Sequence, residues 1–245
     1  MIEFIKGEVY RLFHKKSFYI YFGSLIFAYI LIALIRSGGF KESSVLSDAA
    51  NFFWFFPPFV GGFLFSAIYT DDLNSKNLIA LVGFGMGKAK IVLSKIVIIV
   101  LFGSIIFSIL PLIHCAIYAL FGWMTDGHTL FMIYTVSLKY LLMTIAFSTI
   151  SGILVYGFQK TTFAIVLYVL LSVGTINILL EVIADFLEHA APNLVNHLMN
   201  GITDRIIAGM IERSPNTSAI IEYVVYILIA LIVSIVAFNK KEMEF

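Results

Sequence analysis

The 245 residues are 60% apolar and 13% charged, with a mean hydropathy of +0.99. A water-soluble core of this size does not hide that much hydrocarbon, and a formal net charge of +1 gives nucleic acid little to hold. The one cysteine, Cys115, excludes an internal disulfide and a metal site built from clustered thiolates.

The chain opens with sixteen residues rich in charge, among them Glu3, Lys6, Glu8, Arg11, Lys15 and Lys16. No small-residue cleavage site follows, so the first apolar run is expected to stay as an anchor. Ile2, Ile5, Val9, Leu12 and Phe13 recur at helical spacing against Glu3, Lys6, Arg11 and Lys15. That periodicity predicts an amphipathic helix over 1–17 lying in the membrane interface, with a flexible basic tail as the alternative.

Six apolar stretches follow, at 18–35, 52–69, 96–121, 130–158, 162–180 and 218–238. A hydrocarbon core about 30 Å thick needs roughly 20 residues of helix to cross it. Inside it the backbone must satisfy its own polar groups, so each stretch reads as a transmembrane helix. The fold class is therefore all-α: one membrane domain over 1–245 with six spans and both termini on one side. Placing those termini in the cytoplasm puts Lys6, Arg11, Lys15, Lys16, Lys76, Lys88, Lys90, Lys95, Lys160, Lys240 and Lys241 inside. Arg36, Lys41, Lys139, Arg205 and Arg213 then fall in the outer half or outside, as do all five prolines (Pro57, Pro58, Pro111, Pro192, Pro215). Trp54 and Trp123 sit at the outer boundary. The neighbouring run Phe52-Phe53-Trp54-Phe55-Phe56 reads as an outer aromatic belt, with a substrate box as the alternative.

Two connections are more than loops. Between spans two and three, Asp71 and Asp72 are expected to cap a short helix through Leu73, Leu78 and Leu81. Gly83, Gly85 and Gly87 then break it before Lys88, Lys90 and Lys95 begin the third span. Exposed to the cytoplasm, such a segment offers a surface for another protein to grip. The outer connection, 181–217, carries two apolar stripes: Val182, Ile183, Phe186 and Leu187, then Leu194, Leu198, Ile202, Ile206 and Met210. Separated by Pro192, they predict two amphipathic helices dipping into the outer leaflet, with Asp185, Glu188, Asp204, Arg205, Glu212 and Arg213 on the polar faces.

Catalytic patterns fail on inspection. Gly83-Phe84-Gly85-Met86-Gly87-Lys88 lacks the glycine and hydroxyl of a phosphate loop, having Val82 and Ala89 there. The pair Asp71-Asp72 lacks the third aspartate of a magnesium-diphosphate site, with Ser75 in its place. His14, His114, His128, His189 and His197 show no metal-ligand spacing, and no G-x-S-x-G elbow occurs. Asn216-Thr217-Ser218 matches a glycosylation tripeptide, a pattern common by chance. Neither catalysis nor a cofactor is expected in this chain. Lys139 and Glu222 lie within membrane depth, where an ionisable group normally faces protein or water. They are candidates for pairing or for lining a cavity, with Asn177 a milder polar point on the same path; Lys139 alternatively snorkels to the interface. Gly62 with Ser66, and Ser148 with Gly152, offer close helix contacts within one subunit or between two.

This layout resembles a permease subunit of the ABC-2 type, the membrane half of an ATP-driven exporter. The resemblance covers the whole length, and its most specific part is Asn77-Leu78-Ile79-Ala80-Leu81-Val82-Gly83 leading to Lys88 and Ser94-Lys95. Asp71 stands where such permeases usually have glutamate, and Lys88 where they have arginine. The Phe/Ile-rich, loop-poor character is most similar to small permeases that expel antimicrobial peptides from Gram-positive bacteria. The resemblance implies a plasma-membrane protein with a second permease subunit and a separate nucleotide-binding subunit that carries ATP and magnesium. It implies an ATPase-coupling surface at Asp71, Asp72, Leu78, Leu81, Gly83, Gly85, Gly87 and Lys88, and an amphipathic or peptide substrate. Rival readings are an ion-coupled secondary transporter and a non-transporting sensor or assembly protein.

Overall fold

Where no water can satisfy a peptide group, the chain must close its hydrogen bonds within each segment, and helix does this locally. The computed structural model describes residues 2–35, 44–74, 77–122, 126–186 and 194–240, and among these there is no strand. In chain order the helices are α1 (Ile2–Phe13), α2 (Lys16–Ile35), α3 (Val45–Phe53), α4 (Gly62–Asn74), α5 (Asn77–Gly83) and α6 (Lys88–Leu120). Then come α7 (Gly127–Phe158), α8 (Thr161–Ser172), α9 (Thr175–Phe186), α10 (Met199–Ile211) and α11 (Thr217–Lys240). Among the described residues four helices are long and apolar enough to cross a bilayer: the run Val45–Thr70, α6, α7 and α11. The bent pair α8–α9 makes a fifth if taken as one span, and Lys16–Leu31 within α2 is a shorter apolar helix. These long apolar helices mark a membrane-embedded protein.

Local chemistry sets the ends. Asp126 caps α7 by accepting the Thr129 N–H at 3.0 Å, and those hydrogen bonds hold its exposed carboxyl below the usual carboxylate range. Asn216 caps α11, its side-chain oxygen accepting the Ala219 N–H at 3.1 Å and the Ser218 hydroxyl at 2.8 Å. The glycosylation-like tripeptide thus works as a helix start.

The second expected span begins earlier than hydropathy suggests, at Val45, because Asp48 is drawn into the fold: it accepts the Tyr118 hydroxyl at 2.6 Å. Beside it, His114 donates from Nε2 to the Val45 carbonyl at 2.9 Å, while its Nδ1 meets the Tyr29 hydroxyl. Within this run, Pro57 and Pro58 bring no N–H, and the backbone widens into a π-turn over Pro57–Gly61. Tyr168 of α8 donates its hydroxyl to the Pro57 carbonyl at 2.7 Å. Gly61 makes room for it: a Cβ there would fall 1.8 Å from the Tyr168 oxygen. Gly62 faces the same ring, and Gly152 lies under the Tyr69 hydroxyl, so these small residues serve packing within the chain.

Three expectations change. Asp71 and Asp72 do not start a helix; they lie in the last turn of α4, which runs on to Asn74 because nothing after Tyr69 stops it. The stretch 162–180 is not one straight rod. Gly174, at φ +89°, takes the left-handed conformation after Ser172, and α9 leaves at 62° to α8. The outer pair of helices also divides its roles. Val182, Ile183 and Phe186 of α9 remain exposed, whereas Ile202 and Ile206 of α10 are buried with Ala219 against Leu142 and Tyr223. Leu187, Glu188, Pro192, Lys76, Arg36, Lys41 and Trp123 lie outside the described residues.

Candidate functional site

One end of the bundle gathers α1, the last turns of α4, the short α5, the first turns of α6 and the last turn of α11. The N-terminal stripe expected to lie against lipid turns partly onto protein instead: Leu12 is fully buried, and Ile5 and Val9 pack against the core. Glu8 stands on that same face, four residues before Leu12, and is buried with it. Its Oε2 accepts from Lys95 Nζ of α6 at 2.9 Å and from Arg11 at 2.7 Å. Lys95, with its side chain 1% exposed, also donates to the Ile68 carbonyl at 3.2 Å and sits 5.2 Å from the centre of the Phe4 ring. Arg11 reaches the Ala67 carbonyl at 3.5 Å. Removing one partner of such a buried pair costs about 3–5 kcal/mol, because the other charge is stranded. The Glu8 oxygen thus joins α1 to α6, and the two cations it holds reach α4 through the Ile68 and Ala67 carbonyls.

Sequence reasoning missed this joint, since Glu8 among basic neighbours reads as solvated. Two signals were present. Glu8 follows Ile5 by three and precedes Leu12 by four, and Lys95 interrupts the apolar run Ile91-Val92-Leu93-Ser94 to Ile96-Val97-Ile98.

Beyond the joint lies the segment expected to be gripped. Leu78 of α5 is buried and Leu81 half-buried, which seats the helix on the bundle. It ends in a Schellman motif: Gly85 N–H bonds the Val82 carbonyl at 2.9 Å and Met86 N–H the Leu81 carbonyl at 3.0 Å. Of the three glycines only Gly85, at φ +81°, has the left-handed conformation. Gly83 still belongs to α5, and Gly87 is an extended residue preceding α6. The motif holds Phe84 out at the tip, 90% exposed. Lys88 turns back to the bundle, donating to the Phe238 carbonyl of α11 at 2.8 Å and lying 5.3 Å from the Phe238 ring. It neutralises carbonyls that a helix C-terminus leaves unbonded. Asp71 and Asp72 lie at the α4 side of this segment by backbone position; their side chains are outside the description. The segment expected to be gripped is thus bracketed by two lysines, Lys95 tied to α1 and Lys88 tied to α11.

The residues expected along a translocation path go separate ways. Lys139 of α7 forms an ion pair with Asp204 of α10. Glu222 of α11 pairs with Arg205 of α10 and lies 3.1 Å from His197. Lys139 and Glu222 thus each clip α10 to the bundle rather than bonding to each other. Asn177 is buried at the α8–α9 break, its amide donating to the Leu171 carbonyl at 3.4 Å. Among the described residues no group of three or more His, Cys, Asp or Glu is placed to hold a metal ion. No protein-family model matches the chain, and no curated protein or solved structure matches it.

Proposed function

We propose that this chain is the membrane-spanning permease subunit of an ATP-driven exporter of the ABC-2 type. In this reading α2 is the first of six spans and α8–α9 the fifth. The end bearing α1 and α5 faces the cytoplasm of a plasma-membrane protein, as the distribution of basic residues favours. A separate nucleotide-binding subunit carries ATP and magnesium and grips α5 and its tip. A second permease subunit, alike or different, completes the pair.

The observation that carries this reading is Phe84, a large apolar side chain that a hydrogen-bonded turn leaves 90% exposed at a tip. An exposed aromatic anchor of this kind is costly unless a partner covers it. A push on the tip reaches α11 through Lys88, and α1 and α4 through Lys95 and Arg11. Coupling is then rigid-body motion between two states of the bundle, with no chemistry in this chain. Lys139, Asn177, Glu222 and the aromatic residues at the other end suit an amphipathic or peptide cargo. The α8–α9 break favours a second reading, an ion-coupled transporter, since broken spans build such sites.

Purification from the native membrane in mild detergent tests the proposal. The expected result is a co-purifying ATPase whose binding is lost in Phe84→Asp while the bundle keeps its melting temperature. A stable protein without any ATPase partner, whose transport follows an ion gradient, replaces this reading with the second one.

A further inference from the structure

Two tyrosines two turns apart fasten α2 to the α3 and π-turn run. Tyr21 donates its hydroxyl to the Phe59 carbonyl at 2.6 Å, and the Tyr29 ring packs 3.8 Å from the Phe52 ring, centre to centre. Between these fastenings the helices do not close. A cavity of about 310 Å³ remains, lined by Leu25 and Ala28 from α2 and by Phe52, Phe55, Phe56 and Phe59 opposite. The four phenylalanines spread over about 10 Å of helix, so the space is elongated. Its walls are almost wholly hydrocarbon. A water needs two to four polar partners, and apolar cavities of about half this volume stay dry and take up benzene. Phe55 and Phe59 are about half exposed, so the space opens at the surface, where exposed Trp54 packs on Phe55.

We propose that this slot is a binding site for one acyl chain of a membrane lipid, which fills the gap between α2 and the phenylalanine face. Length, apolar walls and a mouth at the apolar surface fit a hydrocarbon tail. Among the described residues no polar side chain lines the slot to bond the backbone of a peptide. The run Phe52–Phe56, expected to be an outer belt, then has two faces: Phe53 and Phe56 enter the core, and Phe52, Phe55 and Phe56 wall the slot. The slot is independent of whether a motor docks near Phe84.

Trp54 reports on the mouth, since its ring lies 5.0 Å from that of Phe55. The chain has two tryptophans, so Trp123→Phe leaves Trp54 as the single emitter. The full-length purified variant is titrated in detergent with 9,10-dibromostearate, and quenching of Trp54 is read. Saturable quenching is expected, with apparent affinity weakened about tenfold when Ala28→Phe fills the slot, the loss for denying burial of roughly two methylenes. Leu25→Phe serves as a second filling variant should Ala28→Phe fail to fold. Non-saturating quenching of equal slope with and without a filling variant overturns the site. So does displacement of the bromolipid by a triphenylalanine peptide but not by unlabelled stearate, which would make the occupant a peptide.

Discussion

Lys95 of α6 and Glu8 of α1, eighty-seven positions apart in the chain, meet at 2.9 Å with both side chains out of solvent. The contact makes α1 part of the bundle rather than a float on its surface. Glu8→Gln leaves Lys95 stranded and is expected to destabilise by about 3–5 kcal/mol. Adding Lys95→Met should restore much of that, because the fully buried ammonium is then gone, while Arg11, a third exposed, keeps its access to solvent. Thermal unfolding of the two single variants and the double variant measures the coupling. Simple additivity of the two losses would show that the pair does not act as a unit.

Phe84 and Gly85 are neighbours with opposite expectations. Phe84→Ala should leave the melting temperature within the range of a surface change, about ±0.5 kcal/mol, while weakening capture of the partner ATPase. Gly85→Ala forces a Cβ into the left-handed region and should cost about 1–2 kcal/mol without removing the anchor. Gly85→Pro also loses the N–H that bonds Val82 and cannot reach φ +81°, so it should disorder the tip and uncouple ATP hydrolysis from transport. Reversing the charge at Lys88 to Glu should release the end of α11, read as faster hydrogen exchange there.

At the π-turn, Gly61→Ala puts a methyl group against the Tyr168 hydroxyl and is expected to cost about 1–3 kcal/mol through overpacking. Tyr168→Phe in the same chain removes the nearest atom. Rescue should be partial, because the ring carbon beneath remains 2.9 Å away and the bond to Pro57 is lost. Full rescue, or no rescue at all, in a melting series would mean that the ring does not occupy this place.

The clip between Lys139 and Asp204 is partly exposed, so breaking it should cost under about 1 kcal/mol. Its effect belongs to motion. Lys139→Glu should raise hydrogen exchange across Met199–Ile211, and Asp204→Lys in the same chain should lower it again. A loss of assembly in Lys139→Glu would instead point to a packing role for the lysine stem.

Acid should loosen the start of α7. The Asp126 cap holds a depressed carboxyl pKa, so its contribution is fully present above the unfolded value, about 3.9, and fades as pH falls through the folded one. Hydrogen exchange at Thr129 should quicken over that acid range. Asp126→Asn, which keeps the capping oxygen without a titrating proton, should remove the pH dependence.

Hydropathy located the long helices well. The expected 130–158 and 218–238 lie within three residues of Gly127–Phe158 and Thr217–Lys240, because lipid-length apolar runs leave helix as the one way to satisfy the backbone. It missed what hydropathy does not encode, namely direction and pairing. Gly174 turns the chain by 62° between two equally apolar segments, so the average is blind to it. Nothing in the sequence pairs Asp48 with Tyr118, 70 positions away, or Lys95 with Glu8, 87 positions away. The tip at Phe84 was legible as a break, but only the backbone reveals that Gly85 alone carries the turn.

In the proposed arrangement the short reach of α8 bears on the surrounding membrane. Twelve residues make a rod about 18 Å long, whereas the thirty-three of α6 make one about 50 Å long, against hydrocarbon about 30 Å thick. In the proposed six-span arrangement α9 continues this span only after a 62° bend, so it rises less straight through the bilayer than its neighbours. Lipids beside it would thin, or the protein would lean toward it, and a thinner host membrane would relieve that strain.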